Sequence, residues 1–152
     1  MSVIVPVHNR PVLLREAVAS AMAQTYRPIE IIIIDDGSTD TTPAAIADLA
    51  ERHAPVLRAV RQDNAGPGRA REAGRLLAQG EFIQYLDSDD LLLPTKFELQ
   101  VAGLRALPGC GAAYGKTRLW KEDRAAVDEL PVKRTGEAIA TMFPAFLQSR
   151  WW

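Results

Sequence analysis

The 152-residue sequence is poor in the residues that most often announce a function: it has one cysteine, two histidines and no long apolar run. The lone Cys110 excludes an intrachain disulfide and permits a cytosolic setting. It lies in the turn-like string Pro108-Gly109-Cys110-Gly111 and reads as a small structural residue. His8 and His53 give no histidine metal pair; His53 is expected at a helix end, where a cation is favourable. Charge excess is missing too. Basic and acidic residues number 18 and 19, for a net charge of −1, so a nucleic-acid partner is not expected. The most apolar stretch, 29–34, contains Glu30 and falls far short of the roughly 20 residues of a membrane span. Residues 1–6 carry neither the basic flank nor the apolar length of a signal peptide. These absences predict a soluble, cytoplasmic chain; an anchor outside it remains compatible with peripheral membrane attachment.

What is present is an alternation. Residues 2–7 form a β-branched run that closes at Pro6 and Val7 and gives way to His8-Asn9-Arg10-Pro11. Leu13, Leu14, Ala17, Val18, Ala21 and Met22 then make one apolar helical stripe, with Pro11 suited to its first turn. Residues 29–34 are apolar nearly throughout, as a parallel strand covered on both faces should be. Asp40 is placed to cap the helix after them, which buries Ile46, Leu49 and Ala50. A third strand is expected at 56–61, and a small-residue helical face at Ala70, Ala73, Gly74 and Leu77. A fourth strand is expected at 81–86, a helix opening at Pro94, and a fifth strand within 112–119. Residues 121–135 read as charged loop, and Ile139, Met142, Phe143, Phe146 and Leu147 have helical spacing interrupted by Pro144.

Such βαβ alternation predicts an α/β fold: a mostly parallel, twisted sheet with helices on both faces. Ligands in that architecture bind beyond the carboxyl ends of the strands. The polar clusters His8-Asn9, Asp35-Asp36 and Asp87-Ser88-Asp89-Asp90 all fall at such ends and should share one cleft. The last of these is the sharpest. Three carboxylates a few ångströms apart repel by about 3 kcal/mol per pair at an effective dielectric near 20. A cation or water must relieve that repulsion, and hard oxygen donors favour Mg²⁺ or Mn²⁺ bridged to substrate phosphates. The bland reading is a solvated acidic turn capping the next helix. Asp35-Asp36-Gly37-Ser38 is a second acidic turn, able to accept from a base N–H or a ribose hydroxyl, or simply to make a turn. Asn64-Ala65-Gly66 with Arg71 is a third piece; Arg71 is either a phosphate or base ligand or an ordinary surface arginine.

Together these strings resemble the family 2 glycosyltransferases of the GT-A fold, a Rossmann-like nucleotide-diphospho-sugar transferase fold. The resemblance is carried by Val3-Ile4-Val5-Pro6-Val7-His8-Asn9, by Ile34-Asp35-Asp36-Gly37-Ser38-Thr39-Asp40, by Asn64-Ala65-Gly66 with Ala70-Arg71 and Gly74, and by Tyr85-Leu86-Asp87-Ser88-Asp89-Asp90. It covers about 2–107 in order and spacing. It implies one glycosyltransferase domain over 1–152, with 1–107 the nucleotide-sugar-binding half and 108–152 the start of an incomplete acceptor-side half. It implies a nucleotide-diphosphate sugar donor, UDP-sugars being commonest, and an acceptor hydroxyl on a saccharide, lipid or protein. The reaction implied is a metal-dependent, inverting transfer with Mn²⁺ or Mg²⁺.

By the same resemblance Pro6, Val7, His8 and Asn9, with Asp35 and Asp36, hold the base. Arg71 approaches base or phosphates and Asp87 the ribose, Asn64, Gly66 and Ser88 also belong to the nucleotide-sugar site, and Asp89, with Asp87 and support from Asp90, holds the metal. The sequence departs from the family pattern at His8, where tyrosine is frequent, and at Glu72, where asparagine is. It offers no match for the catalytic base; Glu122-Asp123 and Asp128-Glu129 are candidates by composition alone. The oligomeric state is left open. Three other readings compete: a non-catalytic nucleotide-sugar-binding module, a phosphatase of the haloacid dehalogenase type, and a dinucleotide-binding domain built on Gly66-Pro67-Gly68. Trp151-Trp152 at a free end is an awkward apolar exposure, and continuation of the natural chain is expected.

Overall fold

The computed structural model describes residues 1–115 and, as backbone, the strands 117–120 and 127–130. The described residues fall into two compact units, one of Met1–Glu98 and one beginning at Leu99. In the first, β1 (Ser2–Val7), α1 (Pro11–Met22), β2 (Glu30–Asp36), α2 (Thr42–His53), β3 (Leu57–Gln62), α3 (Pro67–Leu77) and β4 (Ile83–Tyr85) alternate. Helix α4 (Lys96–Ala106) begins in this unit and continues into the second. The four strands form one parallel sheet in the order β3-β2-β1-β4. The chain thus builds outward from β1 to β3, then returns to place β4 on the other side of β1. The crevice between the carboxyl ends of β1 and β4 is a topological switch point.

Side chains alternate across the sheet with period two, and both faces are covered. Val3, Val5 and Val7 of β1 and Ile31 and Ile33 of β2 pack with Leu14, Ala17, Val18 and Ala21 of α1, Ile46 and Leu49 of α2, and Phe97. Ile32 and Ile34 face the other way, onto Ala70 of α3. There α3 comes very close: a Cβ built at Gly74 would collide with the Ile4 side chain. The small-residue face therefore sets the helix-to-sheet distance. All three of α1, α2 and α3 have proline in their first turn, where its missing N–H costs no helical bond. Leu13, expected in the α1 stripe, is 39% exposed and lies at its margin.

The opposite end of the sheet is held by a polar staple centred on Glu30. Its carboxylate accepts from the Ser2 hydroxyl at 2.6 Å, the Gln79 amide at 2.7 Å and the Arg58 guanidinium at 3.1 Å, and Ser2 Oγ in turn accepts from the Gly80 amide at 2.8 Å. Burial acts to raise the Glu30 carboxyl, but the Ser2 and Gln79 donors and the Arg58 charge outweigh it and its pKa lies below 4.5. Because the folded value is depressed, this stabilisation is present above the ordinary value and is lost as the pH falls through the folded one. Glu30→Ala should cost about 2–3 kcal/mol of unfolding free energy at pH 7 in urea titrations, the scale of hydrogen bonds to a charged group. A loss under 0.5 kcal/mol would refute the staple.

Several boundaries differ from the sequence expectation; α4, expected to open at Pro94, begins at Lys96, and β3 is shifted by one residue. Strand β2 runs on through Asp35 and Asp36, which pair in register with Arg61 and Gln62 of β3. Asp40 does not occupy the N-cap; Thr41 does, and Asp40 instead accepts from the Thr42 amide at 2.8 Å from just outside the helix. Strand β4 is only three residues long, because its sole partner among the described residues is the first half of β1. In the second unit, β5 (Thr117–Trp120) does not extend the parallel sheet: it pairs antiparallel with β6 (Val127–Leu130). That second strand falls where the sequence reads as charged loop. A four-residue strand with Asp128 and Glu129 in it carries no apolar alternation to reveal it. The helical spacing at 139–147 and the candidates Glu122-Asp123 lie outside the described residues.

Candidate functional site

Four chain segments meet at the carboxyl end of the sheet. The first is the turn after β1. Pro6 and Val7 are buried as the last residues of the strand, so the exposed lip is His8, Asn9 and Arg10. Asn9 has φ of 54°, a left-handed conformation that asparagine tolerates better than most residues. It clamps the second segment, the turn after β2. Its amide donates to Ser38 Oγ at 3.0 Å, and its side-chain oxygen accepts from the amides of Thr39 and Asp40 at 2.8 and 3.3 Å. His8 Nδ1 donates to the Asp36 carbonyl at 2.8 Å, which leaves Nε2 as an acceptor facing Asn9 and Asn64.

Asp35 and Asp36 are both almost fully buried, and the protein itself occupies them. Asp35 takes the Ser38 amide at 2.9 Å and the Arg61 guanidinium at 3.0 Å. Asp36 reaches the third segment, the loop before α3: it accepts from the Ala65 and Gly66 amides, both at 2.9 Å, and from Gln62 Nε2 at 2.7 Å. Burial pushes the Asp36 carboxyl up, but these donors prevail and hold its pKa below 3.8. An ionised carboxylate has about four acceptor positions, so one is left for anything that enters. Gly37 makes the meeting of the two loops possible. Its φ is +73°, and a Cβ there would lie 2.8 Å from the Asn64 nitrogen. Gly37→Ala should destabilise the protein by about 2 kcal/mol or more in denaturant titrations, combining left-handed strain with a backbone clash. An unchanged midpoint would show the two loops to be independent.

The fourth segment is the acidic turn after β4. Ser88 is buried beneath it, while Asp87 is half-buried and Asp89 and Asp90 are exposed. Asp87 pairs with Arg71 of α3 at 2.5 Å, and Asp89 pairs with Arg10. Although Asp90 is exposed at the surface, protein atoms around its carboxyl displace part of its solvent, and this, then the charges of Asp87 and Asp89, raises it above its ordinary value. Negative potential is therefore still felt at this turn with both arginines in place. Among the described residues no group of three or more His, Cys, Asp or Glu side chains is placed to hold a metal ion.

The structure thus brings His8, Asn9, Asp36, Asn64 and Gly66 into one hydrogen-bonded group, and joins Arg71 to Asp87. It buries Pro6, Val7 and Asp35 behind that surface. Sequence reasoning passed over Ser38, Gln62 and above all Arg10. Gln62 could have been found from register, directly across from Asp36; an arginine in a polar turn gives no comparable signal.

An open parallel α/β sheet, covered by helices on both faces and with a switch point beside β1, is a Rossmann-like architecture. The chain belongs to glycosyl transferase family 2, whose sequence profile matches residues 2–139, and it has the GT-A fold. An uncharacterized glycosyltransferase of Haemophilus influenzae is 39% identical over 101 residues, covering 66% of this chain and 40% of that protein. The uncharacterized glycosyltransferase YibD of Escherichia coli is 39% identical over 98 residues, covering 64% of this chain and 28% of its own. The chain therefore spans well under half the length of these relatives. Among solved structures it is similar to S. aureus TarS residues 1–349 in complex with UDP, at 28% identity and a TM-score of 0.63, covering 69% of this chain and 32% of that one. It is also similar to the mannosyltransferase PcManGT of Pyrobaculum calidifontis in complex with GDP-Man and Mn²⁺, at 31% identity and a TM-score of 0.58, covering 64% and 29%. The phosphatase reading falls with the family match, which spans the Asp87-Ser88-Asp89 turn. The dinucleotide reading falls as well, for Gly66-Pro67-Gly68 follows β3 rather than the first strand.

Proposed function

We propose that this chain is the donor-binding part of a glycosyltransferase that moves a sugar from a nucleoside diphosphate sugar to an acceptor hydroxyl with inversion. The observation that carries the reading is the acidic turn after β4 facing the turn after β1 across the switch point, with arginines on both sides. UDP-sugars are the first choice of donor, since TarS is described in complex with UDP and with UDP-GlcNAc; the GDP-Man complex of PcManGT makes a GDP-sugar the second. His8, Asn9 and the loop Asn64–Gly66 form the base end of the cleft, with Asp36 ordering that loop and offering its remaining acceptor position. Asp87 reaches the ribose over the buried Ser88, and Arg71 the phosphates.

Asp89 and Asp87 suit a hard divalent cation, Mn²⁺ or Mg²⁺: their donors are oxygen only, and such ions usually take one or two carboxylates together with substrate phosphate oxygens. Such an ion, when bound, neutralises charge on the departing diphosphate. The arginines and the amide-lined turns provide the fixed dipoles around it, which cost no reorganisation during reaction. Residues 1–107 form the donor half in this reading, and 108–152 begin the acceptor half, where the base belongs.

Calorimetry with UDP, dTDP, GDP and NAD, each with and without Mn²⁺, tests the proposal. One nucleoside diphosphate should bind, Mn²⁺ should tighten it, and NAD should not compete. Failure of all three diphosphates to bind in the presence of Mn²⁺ would end this reading.

A further inference from the structure

Arg10 stands at the N-cap position of α1, with its backbone amide held by Thr42 Oγ1 at 3.0 Å. Its Cα is therefore fixed, while its side chain is 48% exposed and free to swing. That side chain crosses the switch point from the β1 side to Asp89 on the β4 side. Of the two arginines on the acidic turn, Arg71 meets Asp87 from α3, so each pair closes the crevice from a different wall.

A carboxylate oxygen that binds a divalent cation is no longer a full acceptor for a guanidinium. An ion held at Asp89 would repel the guanidinium that now shares the same carboxylate, so the Arg10 pairing would weaken as the ion binds. A displaced arginine at the lip of the crevice can turn to another anion, and a planar guanidinium matches phosphate oxygens in a bidentate way. The diphosphate that arrives with the cation supplies that anion within the same crevice. We propose that Arg10 is a donor-binding residue: it is the counter-ion of Asp89 in the ligand-free protein and transfers to the diphosphate when a divalent cation takes Asp89. The inference rests on the donor-binding reading and deepens it. One consequence is reciprocal coupling, because each ligand removes an obstacle to the other and must do so by the same factor.

The experiment is calorimetry of the 152-residue chain and its Arg10→Gln and Arg10→Lys variants with MnCl₂ alone, and with UDP, dTDP and GDP in saturating Mn²⁺. Arg10→Gln should bind Mn²⁺ alone about threefold more tightly, the scale set by an exposed ion pair. It should bind the nucleoside diphosphate with Mn²⁺ about tenfold more weakly, the scale of a charge-assisted phosphate contact. Opposite signs in one variant are the signature, since damage to the fold would weaken both. Arg10→Lys keeps the charge without the planar fork and should fall between the two. Unchanged or weaker Mn²⁺ binding in Arg10→Gln, or an unchanged diphosphate affinity, would overturn the role of Arg10 while the donor-binding reading stood. A parent chain that binds none of UDP, dTDP and GDP with Mn²⁺ would instead remove both.

Discussion

Asp36→Ala should lower the unfolding free energy by about 3–5 kcal/mol, a large part of the 5–15 kcal/mol typical of a domain. The carboxylate is 4% exposed and accepts from two backbone amides, Ala65 and Gly66, as well as from Gln62. Without it, two amides at the mouth of α3 lose their acceptor, at about 1–3 kcal/mol each where they stay dry. Gln62 is at the strand edge and can turn to water. Asp36→Asn keeps one acceptor oxygen and should lose about half as much. The same residue predicts an acid dependence. Its folded pKa lies below 3.8, so its contribution is fully present above the unfolded value and declines as the pH falls through the folded one. Urea titrations from pH 7 down to acid should show the parent chain losing stability below about pH 4. The Asn variant should lose less over that window. Parallel curves for the two would show that Asp36 is not the carboxylate responsible.

The sheet is far more legible in the sequence than the crevice at its end. Periodicity carries the sheet: the unbroken apolar run of β2 requires helices on both faces, and the packing of Val3, Val5, Ile31 and Ile33 on one side and Ile32 and Ile34 on the other follows from it. The small residues Ala70 and Gly74 likewise show which face of α3 meets the sheet. The strand ends were misjudged for a physical reason. Two aspartates look like the end of a strand when each is treated alone, yet Arg61 and Gln62 lie opposite them and satisfy them inside the sheet. That compensation is a property of the pair and is invisible in either run alone. It also changes what the acidic turn after β2 does: Asp36 spends most of its acceptor capacity holding the loop before α3. The ion pair between Arg10 and Asp89 joins positions 79 apart in sequence, and only the return of β4 to the side of β1 brings them together.

Asp89→Ala should abolish most of the tightening that Mn²⁺ gives a nucleoside diphosphate, by about 100-fold or more, while leaving the fold intact. Loss of an outer-sphere partner already costs a metal site about 10–100-fold, and a direct oxygen ligand stands at or above the upper end. The competing view is that Asp89 only pairs with Arg10 on the surface. Both side chains are close to half exposed, and such a pair contributes about 0–1 kcal/mol to stability, too little to alter an Mn²⁺ effect on nucleotide affinity. The two views differ by more than an order of magnitude in one measurement. A second readout is independent of ligand. The Asp90 carboxyl is raised by partial loss of its solvent and then by Asp87 and Asp89, so removing Asp89 should lower it toward 3.8 without restoring it fully. An NMR titration that shows that downward movement, together with an unchanged melting temperature, would establish that the variant is folded and that the negative field at the turn has weakened. An Mn²⁺ enhancement that survives in such a folded variant would move the ion-binding role to Asp87 or out of this turn altogether.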